Sequence, residues 1–148
     1  MKTYSLYLLM AAVGGAVLPL QALINARLGG ALGGPIWAAT VSFLVGSFGL
    51  VTVQVLRGGS FSASSAFAAP WWVWTGGLLG AYYVVASIFT VPKLGAATLM
   101  TLLILGQLTA SVVLDHFGVL SDQIRPFSWQ RGLGVAMLFA GALLVVRS

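Results

Sequence analysis

Five apolar runs of about 18–23 residues, joined by short polar connections, make up most of this sequence and leave it few ways to fold. As an α-helix, each run is long enough to cross a hydrocarbon layer of about 30 Å. With 59% of its residues hydrophobic and only 6% charged, the chain cannot clothe a water-facing surface; water-soluble domains carry roughly 25% charged residues. The expectation is an all-α integral membrane protein, one membrane domain over residues 1–148 with five transmembrane helices.

The first span covers about residues 4–26, between Lys2 and Arg27, with Pro19 as an expected kink. A basic start followed by an apolar run also fits a signal peptide. The length of the run, the lack of a small-residue cleavage motif and the four further spans favour a retained helix. The second span, about 35–56, opens on Pro35 and closes at Arg57-Gly58-Gly59. After a polar loop, the third, about 71–91, begins with Trp71, Trp72 and Trp74, the aromatic belt expected at a membrane interface. Pro92-Lys93 predicts a tight connection to the fourth span, about 95–114, which ends beside Asp115 and His116. A loop of roughly 14 residues then leads to the fifth, about 129–146. The connections are too short to fold alone, which places function in the bilayer.

Alternating the loops across the membrane puts Lys2, Arg57, Arg125 and Arg131 on one face and Arg27, Lys93 and Arg147 on the other, four against three. Orientation follows an excess of Lys and Arg on the cytoplasmic side, and here there is almost none. One residue of bias can suffice for a single orientation, but the near balance favours insertion both ways round. Five spans is an odd number, so two oppositely inserted copies would form a ten-helix inverted repeat. Many secondary transporters are built on that frame, with the substrate site near the midplane.

Polar side chains within spans are the candidate site residues. On the first helix Gln21 and Asn25 lie four residues apart on one face. Such amides either bind substrate or act as interhelical glue, worth about 0.6–2 kcal/mol per pair. Tyr82 and Tyr83 fall within the third span, and Gln107, Ser111 and Asp115 form a stripe at i, i+4 and i+8 on the fourth. Substrate contact is expected of Gln21, Asn25, Tyr82, Tyr83, Gln107 and Ser111. Asp115 and His116 make a possible proton or ion-pair site; at a helix end Asp115 can equally be solvated or paired with Arg125 or Arg131. Small residues mark close packing, among them Gly76 and Gly80 on the third helix. On the fifth, Gly132, Ala136 and Ala140 could form a helix-packing face or dimer seam.

Other chemistry is poorly provided for. There are no cysteines and one histidine, so disulfides, thiolate metal sites and a metal centre are not expected, nor is any cofactor. Phosphate-binding loops and nucleophile elbows are absent, so no enzyme is expected and no catalytic residue is assigned. The net charge of +5 is spread singly along the chain, which argues against nucleic acid and for topology markers.

The chain resembles the YdcZ-like small five-helix family of the drug/metabolite transporter superfamily. The resemblance rests on Gly-Ala-Val-Leu-Pro-Leu-Gln-Ala-Leu-Ile-Asn-Ala-Arg-Leu at 15–28, Val-Ser-Phe-Leu-Val-Gly at 41–46, and Gly-Gly-Leu-Leu-Gly-Ala at 76–81. Val-Pro-Lys-Leu-Gly-Ala at 91–96 adds to it, as do Gly106-Gln107, Ser111 and Asp115-His116-Phe117-Gly118. It implies a multi-pass protein of the bacterial inner membrane, built as a single unit or as half of a ten-helix body. Related small multidrug resistance proteins carry a glutamate on the first helix for proton and drug exchange; this chain has Gln21 and Asn25 there, so proton-coupled cation export is not carried over. The leading expectation is a transporter or facilitator of an unidentified small organic molecule, acting as an antiparallel homodimer in the lipid bilayer. The alternatives are a passive ion channel and a non-transporting accessory protein.

Overall fold

The computed structural model describes residues 2–119 and 124–147; residues 120–123, part of the connection expected before the fifth span, lie outside it. The regular elements among the described residues are helical. They are α1 Lys2–Ala31, α2 Pro35–Leu56, the short α3 Ala63–Ala68, a single 3₁₀ turn at Trp71–Trp74, α4 Thr75–Phe117 and α5 Trp129–Arg147. Four helical stretches are long and apolar enough to cross a membrane.

The third and fourth expected spans are joined in α4, whose 43 residues would extend about 65 Å, twice the thickness of a hydrocarbon core. Gly95 divides it, with φ 76° and ψ 159° in the middle of the helix. Each arm, 75–94 and 96–117, is then about 30 Å long and matches one crossing. The expected break at Pro92-Lys93 is corrected to Gly95. Proline keeps a helical φ and costs one donor, so the helix passes through it, whereas the conformation at Gly95 is open essentially to glycine alone. Two further boundaries move. α1 runs five residues past the expected end, so Arg27 lies inside it, and the polar loop after α2 holds α3, capped by the Ser62 hydroxyl accepting from the Ser65 N–H.

The chain forms two compact units, residues 1–93 and 94–148. In the first, the buried and half-buried positions recur at heptad-like spacing: Leu18, Ala22, Asn25 and Gly29 on α1, and Gly80, Val84, Ser87 and Val91 on α4. From α2, Ala38 and Ala39 complete a core with Val84 and Ile88. Small residues let the backbones approach closely. A methyl group on Gly29 would sit 3.4 Å from Ile88 Cγ2 and 3.7 Å from the Ala38 methyl, so the three helices meet there.

In the second unit, α5 turns Arg131, Val135, Leu138, Ala142 and Val145 inward, again at i, i+4, i+7, i+11 and i+14. Ala136 and Ala140 of the small-residue face are exposed, while Gly132 is half-buried. Gly132 makes room for the chain's own Phe127, whose ring would lie 2.6 Å from a methyl group placed there.

Gly95→Ala is expected to destabilise the protein by about 1–3 kcal/mol, the cost of forcing a side chain into that backbone conformation. Gly30→Ala, in a helical and open position, should leave stability unchanged or raise it by up to about 1 kcal/mol. Thermal unfolding of the two variants side by side in detergent checks the contrast.

Candidate functional site

Hydroxyl groups on membrane helices usually satisfy themselves by bonding the carbonyl one turn back, and several here do so. Thr40, Thr52, Thr90, Thr101 and Thr109 each donate to the carbonyl four residues earlier at 2.7–2.9 Å, and Ser87 donates to the Tyr83 carbonyl at 2.8 Å. In the first unit, several polar side chains behave differently, four of them close together. Gln21, Asn25, Ser42 and Ser47 make no side-chain hydrogen bond to any described residue.

These four line one feature of the surface. Gln21, Asn25, Tyr83 and Ser87 surround a narrow cleft of about 10 Å³ together with Leu18, Ala22 and Val84, which is room for roughly one water. On the other side of Gln21 and Val84 the cleft gives onto an open-sided groove of about 230 Å³, walled by Ser42, Ser47, Phe43, Gly46 and Leu50 of α2. The helical periods already described produce this arrangement. Asn25 sits on the packing seam of α1 between Ala22 and Gly29, Gln21 lies one turn earlier, and Ser87 follows Tyr83 by one turn on α4.

Burial separates the two amides. Gln21 is exposed, whereas Asn25 is only 4% exposed. No buried side-chain nitrogen or oxygen is left without a partner among the described residues, so what access the Asn25 amide retains is toward the cleft it lines. No carboxylate occurs anywhere in residues 1–93. The nearest basic residue in sequence, Arg27, lines a separate apolar groove with Leu23, Ala26, Val91 and Pro92.

Of the residues expected to contact substrate, the structure therefore brings together Gln21, Asn25 and Tyr83. Tyr82, next along α4, points away and is 76% exposed. Gln107 and Ser111 belong to the second unit and are exposed on α4. The sequence reading missed Ser42, Ser47 and Ser87 as lining residues. The i, i+4 spacing of Tyr83 and Ser87 was the available signal.

Asp115 and His116 are held at the end of α4 by the connection that follows. Gly118, with φ 62°, ends the helix, and the Val119 N–H closes it on the Leu114 carbonyl at 3.0 Å. The Arg125 N–H donates to the Asp115 carbonyl at 3.0 Å. Arg131 Nη1 reaches Asp115 Oδ2 at 3.2 Å and the Arg125 carbonyl at 3.3 Å. The Phe127 N–H donates to His116 Nδ1 at 3.1 Å. That nitrogen is thus an acceptor, and no hydrogen bond joins Asp115 to His116 among the described residues. The pair acts here as a fastening for the α4–α5 connection. Among the described residues no group of three or more potential metal ligands occurs.

The described residues form a helical membrane chain carrying a polar groove between closely packed helices. The chain belongs to the family described as "Putative inner membrane exporter, YdcZ", which it matches over residues 6–144. It is accordingly an inner-membrane protein. It is similar to the inner membrane protein YdcZ of Escherichia coli (strain K12), with 36% identity over 77 residues. That stretch covers 52% of this chain and 51% of the relative, so the match spans about half the length of each. No solved structure matches the chain.

The Asp115–Arg131 pair is only partly shielded, at 41% and 31% side-chain exposure respectively, which puts its contribution at about 0–1 kcal/mol. Asp115→Asn should therefore lower stability by no more than about 1 kcal/mol, as read from thermal unfolding at low and moderate salt.

Proposed function

We propose that this protein is a secondary transporter or facilitator of a small organic molecule, working as an antiparallel homodimer whose second copy closes the open side of the groove. The observation that carries the reading is the set Gln21, Asn25, Ser42 and Ser47, four polar side chains on one groove with no hydrogen-bond partner among the described residues. Polar groups on a membrane helix are costly against lipid and belong against protein, water or cargo. The threonines from Thr40 to Thr109 and Ser87 avoid that cost through their own backbone, whereas these four share one groove.

Membership of an exporter family supports transport and is not an enzyme class. Two things support the antiparallel pair. The Lys and Arg balance of four against three gives no strong orientation, and α5 leaves Ala136 and Ala140 exposed as a face that another helix could approach closely. Two opposed copies make an inverted repeat, and a groove on each copy then lies against the pseudo-two-fold axis, where such transporters hold their substrate.

The absence of native cysteine makes the test direct. A single Ser60→Cys in the loop after α2 is expected to react with a membrane-impermeant maleimide from both sides of the membrane, and Ser47→Cys in the groove to react with the same water-soluble reagent. Reaction of Ser60→Cys from one side only would sink the antiparallel pair. A Ser47→Cys reached only by a lipid-soluble reagent would leave an accessory role, and a non-saturating conductance in planar bilayers would make the protein a channel.

A further inference from the structure

The groove differs from a general polar surface in having two chemically distinct parts that share Gln21 and Val84. The inner cleft, of about 10 Å³, has room for a single hydrogen-bonding group and presents the Asn25 amide, 4% exposed and without a hydrogen-bond partner among the described residues. Ser87, equally buried, stands opposite with its proton committed to the Tyr83 carbonyl, so its oxygen is left to accept. The outer groove, of about 230 Å³, is walled mainly by Phe43, Gly46 and Leu50, with Ser42 and Ser47 at intervals. Resting on the transport reading above, we infer that the substrate is an uncharged amphiphile. Its hydroxyl or amide group enters the cleft against Asn25 and Ser87, and its short apolar body lies in the groove along α2.

The charge argument rests on what surrounds the cleft. No Asp or Glu occurs in residues 1–93, and Arg27 opens onto a different groove, so a buried ion would find no counter-charge. Ions are taken from water only when paired or strongly hydrogen-bonded. The Tyr83 ring could attract a cation, but one aromatic face offsets only part of the lost hydration. An amide offers both a donor and an acceptor, which matches a neutral group that is itself both. The size argument is as simple. The inner cleft, walled within one chain, admits a single small polar group, so the head of the molecule is compact.

Four probes with the same six-carbon body separate the head groups: hexanamide, 1-hexanol, hexylammonium and hexanoate. In the reconstituted full-length chain carrying Ser47→Cys, hexanamide and hexanol are expected to slow maleimide labelling at concentrations about tenfold below those needed of either ion. Labelling at Ser60→Cys, outside the groove, supplies the blank for effects on the bilayer. Adding Asn25→Leu should weaken the neutral probes about tenfold without changing the ions. Asn25→Asp, which keeps the shape, should move the preference to hexylammonium. Equal protection by all four probes, stronger protection by an ion in the unaltered cleft, or no effect of Asn25→Leu would each overturn the inference while leaving the transport reading in place. A Ser47→Cys that water-soluble maleimide never reaches would remove both.

Discussion

Within a hydrocarbon layer, every donor and acceptor must find its partner inside the protein, because no solvent is there to supply one. That requirement makes the long elements of this chain helices. It also accounts for the series of threonines from Thr40 to Thr109 whose hydroxyls fold back onto the carbonyl one turn earlier. With the backbone and these hydroxyls satisfied internally, four of the polar side chains that are not stand out by their position. Gln21, Asn25, Ser42 and Ser47 lie together, and they lie where helices leave a gap rather than where they touch.

The gap exists because the first unit packs through small residues. Gly29, Ala38 and Ala39 let Ile88 of α4 pack against both α1 and α2, while Leu18, Tyr83 and Val84 border the cleft that lies beside this core. Close packing on one stretch and a cleft on the next follow from the same seam. Asn25 stands at the transition, buried by its neighbours yet facing the cleft. The core so formed is small, and large side chains such as Leu44, Phe48 and Tyr82 point outward, as suits helices whose outer surface meets lipid or another membrane protein.

The second unit uses its polar residues otherwise. Asp115, His116, Arg125 and Arg131 spend their hydrogen bonds on the connection between α4 and α5. An aspartate beside a histidine invites a proton-relay interpretation. Geometry directs the carboxylate to Arg131 and the imidazole to the Phe127 backbone instead, and it does so because Gly118 turns the chain back over the helix end.

The sequence by itself determined the membrane class, the five crossing-length segments and the face shared by Gln21 and Asn25, since hydropathy, helix length and the 3.6-residue period are local quantities. It also placed most helix ends within a few residues, missing mainly the extension of α1 over Arg27 and the passage of α4 through Pro92. Only the tertiary structure decided which polar residues share a site. Tyr83 joins the amides while adjacent Tyr82 does not, Ser87 and Ser47 enter, and Gln107 and Ser111 stand in the other unit. Those outcomes depend on which face of each helix meets its neighbours, and that is set by the fit of small and large side chains between helices distant in sequence. No period within a single helix encodes it.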